Sequence, residues 1–177
     1  MATNWRISSF NGMLLAAYFI PTWAIIAFRI MIAPVHGLYE RPSISVALFI
    51  SDHLHLASMA TVRVAWLLAL GRLTVVAFFA IFLFLAARAS IRKTGGCDEA
   101  LAMALAIGSV ISFASMWMAS QVGETAALRL HATELLMLLG TAIVLLVERP
   151  VTAVPQTELS ATADDLPLQQ PQLLKHG

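Results

Sequence analysis

Four long apolar stretches dominate the pattern of this chain, at about 10–33, 64–87, 100–119 and 126–147. At 1.5 Å of rise per residue, a helix of that length crosses roughly 30 Å of hydrocarbon. Turn signals separate the stretches. Pro34, Gly37 and Pro42 follow the first, Thr94, Gly95 and Gly96 precede the third, and Gln121 to Glu124 precede the fourth. Pro21 falls inside the first stretch and predicts a kink there, which membrane helices tolerate. The first stretch exceeds the roughly 7–15 apolar residues of a signal-peptide core and no A-x-A site follows it, so it reads as a retained span.

The stretch from Ile44 to Ala60 breaks this regularity. It is apolar enough to enter a membrane, yet it carries Ser51, Asp52, His53 and His55 at its centre. Its apolar side chains do not gather on one helical face, so a helix lying flat on the surface is not supported. It reads either as an interfacial helical segment tucked against the bundle or as a poor fifth span. The lack of a turn signal before Val64 favours one helix that enters the second span continuously.

Composition sharpens the picture. Apolar types make up 59% of the 177 residues and charged types 12%, against roughly 25% charged in soluble domains. One small globule cannot hide that much apolar surface, so the lipid bilayer is the expected solvent for most of it. A net charge of +1 without a strong basic field argues against nucleic acid as a partner. With Cys97 as the one cysteine, no intrachain disulfide and no thiolate metal cluster is available.

The densest basic cluster, Arg88, Arg92 and Lys93, places the loop between the second and third spans in the cytoplasm by the positive-inside rule. Both termini are then cytoplasmic and 34–63 faces outward, in what reads as a bacterial cytoplasmic (inner) membrane. Arg6 and Arg149 agree with this orientation, whereas Arg41 and Arg63 count against it. From 150 to 177 the composition turns to Pro, Gln, Ser and acids, which predicts a disordered tail behind a transmembrane domain spanning 1–149.

Two charges interrupt the apolar spans, Arg72 in the second and Glu134 in the fourth. A charge within a lipid-spanning segment is costly and persists where it is paired, faces other helices or lines a wet cavity. Arg72 sits roughly 24 Å along a helix from Arg88, and Glu134 roughly 21 Å from Glu148. The shared depth predicts an intramembrane polar pair joined across two helices. The competing arrangement has Arg72 snorkelling to the surface while a protonated Glu134 bonds a Ser or Thr.

His131 shares a helical face with Glu134, three residues away. The order is the reverse of the Glu-x-x-His pairs of di-metal carboxylate bundles, and no second set is present. Asp52, His53 and His55 would add further metal ligands, and His53 or His55 would be the second axial ligand if His131 held haem b. On a helix the imidazoles of His53 and His55 point about 200° apart, which weakens both ideas.

The third span carries a ridge of small residues, Ala100, Ala104, Gly108 and Ser112, that lets another helix approach closely. The fourth span or another protein chain would fill it. The sequence holds no G-x-S-x-G, P-loop, H-E-x-x-H or C-x-x-C-H. The expected molecule is an all-α, integral membrane four-helix bundle with an interfacial helical segment and no assigned catalytic residue. Its expected role is that of an accessory or structural subunit held to other membrane subunits or to itself. The alternatives are a bundle carrying haem b or a metal ion, and a small transporter or channel.

Overall fold

In the computed structural model, residues 7–54, 58–88 and 96–148 are described. Among these residues four helices are long and apolar enough to cross a membrane, consistent with an all-α four-helix bundle. They are α1 (Ile7–Ile32), α4 (Ser58–Ala87), α5 (Asp98–Gln121) and α6 (Thr125–Glu148). Two short helices, α2 (Pro34–Leu38) and α3 (Ile44–Phe49), lie between α1 and α4 in the chain. A π-helical turn, Ile50–Leu54, extends α3. The expected tail beyond 149 lies outside the described residues, as do Arg92, Lys93 and His55.

The long helices pack in a ring in which α1 meets α4, α4 meets α5, α5 meets α6 and α6 returns to α1. The spans are longer at their ends than the apolar pattern indicates. α4 is already helical at Ser58, ahead of the apolar run from Val64, and takes Thr61 and Arg63 into its first turns. α1 runs through Pro21 without interruption of the helix.

Local chemistry fixes the turns. Gly123, with φ of 72°, ends α5, and the Glu124 amide closes back on the Ala119 carbonyl at 3.0 Å. This is the 6→1 bond of a Schellman termination, where glycine adopts the left-handed region without steric cost. Asp98 and Glu99 occupy the first turn of α5, where negative charge opposes the helix dipole favourably. The carboxylate of Glu148, the last residue of α6, accepts hydrogen bonds from the Ile7 and Ser8 amides at 2.9 and 3.0 Å. It thereby satisfies two of the orphan donors at the start of α1 and ties the first helix to the last at one end of the bundle.

At the opposite end, residues 34–54 fold back over the bundle as a cap. Gly37 is required there, since a Cβ would stand 2.8 Å from both the Cα and the N of Ile30. Backbone cannot yield at that distance, so α2 reaches α1 only through a glycine. An Arg29–Glu40 ion pair at 2.9 Å adds a solvent-facing tie.

The interior divides into two apolar clusters. One, toward the termini, joins Phe19, Phe79, Phe82, Leu101, Leu105 and Leu138 among others. The second, under the cap, joins Ile30, Leu38, Val46, Ala47, Ile50, Ala65 and Ala69 among others. The face of α5 carrying Ala100, Ala104, Gly108 and Ser112 is buried within the chain, and Gly108 approaches Leu138 of α6 and Val75 of α4. Outward, Leu14, Phe28, Leu67, Phe84, Val110, Phe113, Leu136 and Ile143 are exposed, as a lipid-facing wall requires.

Candidate functional site: a polar node between two apolar clusters

Arg72, His131 and Glu134 are all buried, at 2–3% exposure. Helical periodicity places Arg72 on the inward face of α4 between Ala69 and Val75, both fully buried. On α6 the spacing of three puts His131 and Glu134 side by side on the face that Ala127, Leu138 and Thr141 also occupy. None of the three side chains faces lipid.

The guanidinium of Arg72 is held by the cap. Its Nη1 donates to the Ser43 hydroxyl at 2.9 Å and its Nη2 to the Pro42 carbonyl at 3.3 Å. The guanidinium carbon also lies 5.9 Å from the centre of the Trp23 ring, within the range of a cation–π contact. Trp23 in turn donates its indole N–H to Glu134 Oε1 at 3.2 Å. The other carboxylate oxygen, Oε2, meets His131 Nδ1 at 3.0 Å.

The structure therefore brings Arg72 and Glu134 into one node with Trp23 between them. No hydrogen bond or ion pair joins the two directly among the described residues, unlike the direct contact that their common depth suggests. The physical reason is the indole. Its ring face meets the cation and its N–H donates to the carboxylate, so one side chain from α1 serves both charges. Phe19 supports the indole edge-on at 5.0 Å and stacks on Phe79 of α4 at 5.7 Å. The node thus rests on the apolar cluster toward the termini.

Among the described residues, Arg72 Nε, His131 Nε2 and Ser112 Oγ are buried polar atoms without a hydrogen-bond partner. With Nδ1–H donated to Glu134, a neutral His131 presents Nε2 as a lone-pair acceptor. Carboxylate-oriented imidazoles of this kind serve as metal ligands elsewhere. Here no group of three His, Cys, Asp or Glu side chains converges to hold a metal among the described residues. Asp52 and His53 are exposed, and the His53 ring stacks on Phe49 at 4.7 Å, whereas His131 is buried beside Glu134. Among the described residues, Asp52 and His53 do not join His131 around one point, and His55 lies outside those residues.

Sequence reasoning missed Trp23, Ser43 and Pro42. Trp23 carried a usable signal: it lies roughly 24 Å along α1 from Ile7, the same depth as the two charges. A tryptophan that deep needs an acceptor for its N–H. Ser43 and Pro42 carried none, because a cap folded back over the bundle leaves no periodic trace.

Comparison with protein-family models, with curated proteins and with solved structures returned no match.

Proposed function

We propose that this chain is a non-catalytic accessory or structural subunit of a larger membrane complex, carried in a bacterial cytoplasmic membrane with both termini inside. The observation that supports this reading is a lipid-facing notch between α1 and α6, the pair that touches least around the ring. The notch measures about 350 Å³, and its walls include Asn11, Tyr18, Gly140 and Thr141 beside Leu14 and Met137. A Cβ added at Gly140 would meet nothing within 4 Å.

Lipid tails are as apolar as leucine, so helices associate in a bilayer through close approach at small residues and through polar side chains. A seam with a glycine, an amide and two hydroxyls suits a partner helix better than it suits acyl chains. The node contributes rigidity in this reading: Arg72 fastens the cap and Glu134 completes its electrostatics.

Gentle detergent extraction followed by a native gel and mass spectrometry of the band tests the proposal. Comigration with larger membrane proteins in fixed ratio is the expected result, together with release of the chain by Gly140→Leu, whose Cβ enters open space and whose side chain occupies the notch. A particle containing this chain alone contradicts it.

The unpartnered Nε2 of His131 favours one second reading, a bundle that binds haem b or a metal ion. In that case the extracted protein is coloured or metal-loaded, and His131→Ala abolishes the signal. A colourless, metal-poor particle rejects it.

A further inference from the structure

At the cap end of the bundle, a cleft of about 490 Å³ opens between the α2–α3 connection and the start of α6. Its lining is Arg41, Ile44, Glu124, Ala126, Ala127 and Leu130. Arg41 is exposed and Glu124 half-buried. Neither side chain is in an ion pair or side-chain hydrogen bond within the described residues, in contrast to the nearby Arg29 and Glu40, which bind each other at 2.9 Å. The mouth of the cleft thus holds one unengaged cation and one unengaged anion above an apolar wall.

Gln121 and Thr125, the ends of two helices long and apolar enough to span a membrane, flank the same turn, where a headgroup would meet the end of each span. Two alanines and Ile44 leave room below for the upper part of an acyl chain. A phosphate complements Arg41, and an ammonium complements Glu124. An anionic headgroup without an ammonium would meet the Glu124 carboxylate unfavourably, which is discrimination by repulsion. A primary ammonium donates hydrogen bonds to a carboxylate, whereas a quaternary ammonium has no N–H to donate.

We propose that this cleft is a binding site for a zwitterionic phospholipid with a primary-ammonium headgroup, of the phosphatidylethanolamine class, with its phosphate on Arg41 and its ammonium on Glu124. The proposal is independent of the accessory-subunit reading, because it concerns the opposite end of the molecule and a lipid rather than a protein.

The test uses the full chain reconstituted in liposomes containing equal parts phosphatidylethanolamine, phosphatidylcholine and phosphatidylglycerol. Gentle re-extraction and native mass spectrometry then count the lipids retained per chain. The expected result is retention of phosphatidylethanolamine about tenfold above the other two, a factor in keeping with charge-assisted hydrogen bonds. Arg41→Ala and Glu124→Gln should each bring that preference down to the level of the other lipids. Arg29→Ala removes a neighbouring rim charge outside the cleft and should leave it intact. Retention of the three lipids in equal amounts overturns the proposal. So does an unchanged preference in both cleft variants, or an equal loss in Arg29→Ala, which would trace the effect to the general charge of that end.

Discussion

Toward the chain termini, Phe79 and Phe82 of α4 pack with Leu101 of α5, Leu138 of α6 and Phe19 of α1. Toward the cap, the corresponding layer is Arg72, Trp23, Glu134, His131 and Ser43, joined by directed bonds. Both layers are buried to the same few per cent. In water the first would be the stronger anchor, because burying apolar surface drives folding. In a bilayer that advantage largely disappears, since a phenylalanine facing lipid is already out of water. What remains for the apolar layer is close packing, whereas the polar layer retains the full cost of leaving a charge unpaired in hydrocarbon. The comparison teaches that a few polar side chains fix the cap end, while shape complementarity fixes the other.

The sharpest way to break the comparison is to remove the cation. Arg72→Met keeps an unbranched apolar stem but leaves Ser43 and the Pro42 carbonyl without their donor and Glu134 without its cation. Removing one member of a buried charged group costs about 3–5 kcal/mol. Denaturation by detergent titration should therefore show the largest loss of any single change.

Next in size comes Gly37→Ala. Its Cβ would stand 2.8 Å from the backbone of Ile30, so α2 must lift from α1. A penalty of about 3 kcal/mol, at the upper end for overpacking, should appear in the same titration. Gly140→Ala, whose Cβ enters open space, should leave the titration unchanged.

Phe82→Ala probes the apolar layer. The cost in a soluble core is about 3–5 kcal/mol. Here the transfer contribution is mostly absent, and the cavity contribution alone predicts about 2 kcal/mol. A loss as large as that of Arg72→Met would erase the distinction between the halves.

The smallest loss that the titration should register belongs to Trp23→Phe. The ring beneath Arg72 stays and the N–H to Glu134 goes, at a cost of about 0.6 kcal/mol, the average for a hydrogen bond within a membrane bundle. The paired change Trp23→Phe with Glu134→Ala, measured as a double-mutant cycle, should give a coupling of that size.

The sequence makes the two halves legible to different degrees. Length and hydropathy reveal each span because crossing a bilayer demands an unbroken apolar run, and that demand leaves a mark at every position. Arg72 and Glu134 stand out for the same reason, as exceptions to it. The small face of α5 from Ala100 to Ser112 is visible through its spacing of four. Hidden from sequence is how the charges are met, because the indole of Trp23 looks like any apolar span residue until its depth is matched to theirs. The cap is the least legible part. Its contacts depend on a chain reversal at Ala33–Pro34 and on the missing Cβ of Gly37, neither of which sets the position of Ser43 over Arg72. Asp52 and His53 looked like ligands by residue type, yet the π-helical turn that carries them points both to the exterior.

Hydrogen exchange followed by mass spectrometry, comparing the native chain with Arg72→Met, tests most directly whether the polar node holds the cap. Amides in 34–54 should exchange faster in the variant, while those of α5 and of α6 beyond Leu138 keep their native protection. Unchanged exchange across 34–54, or an equal rise throughout the bundle, would contradict the account.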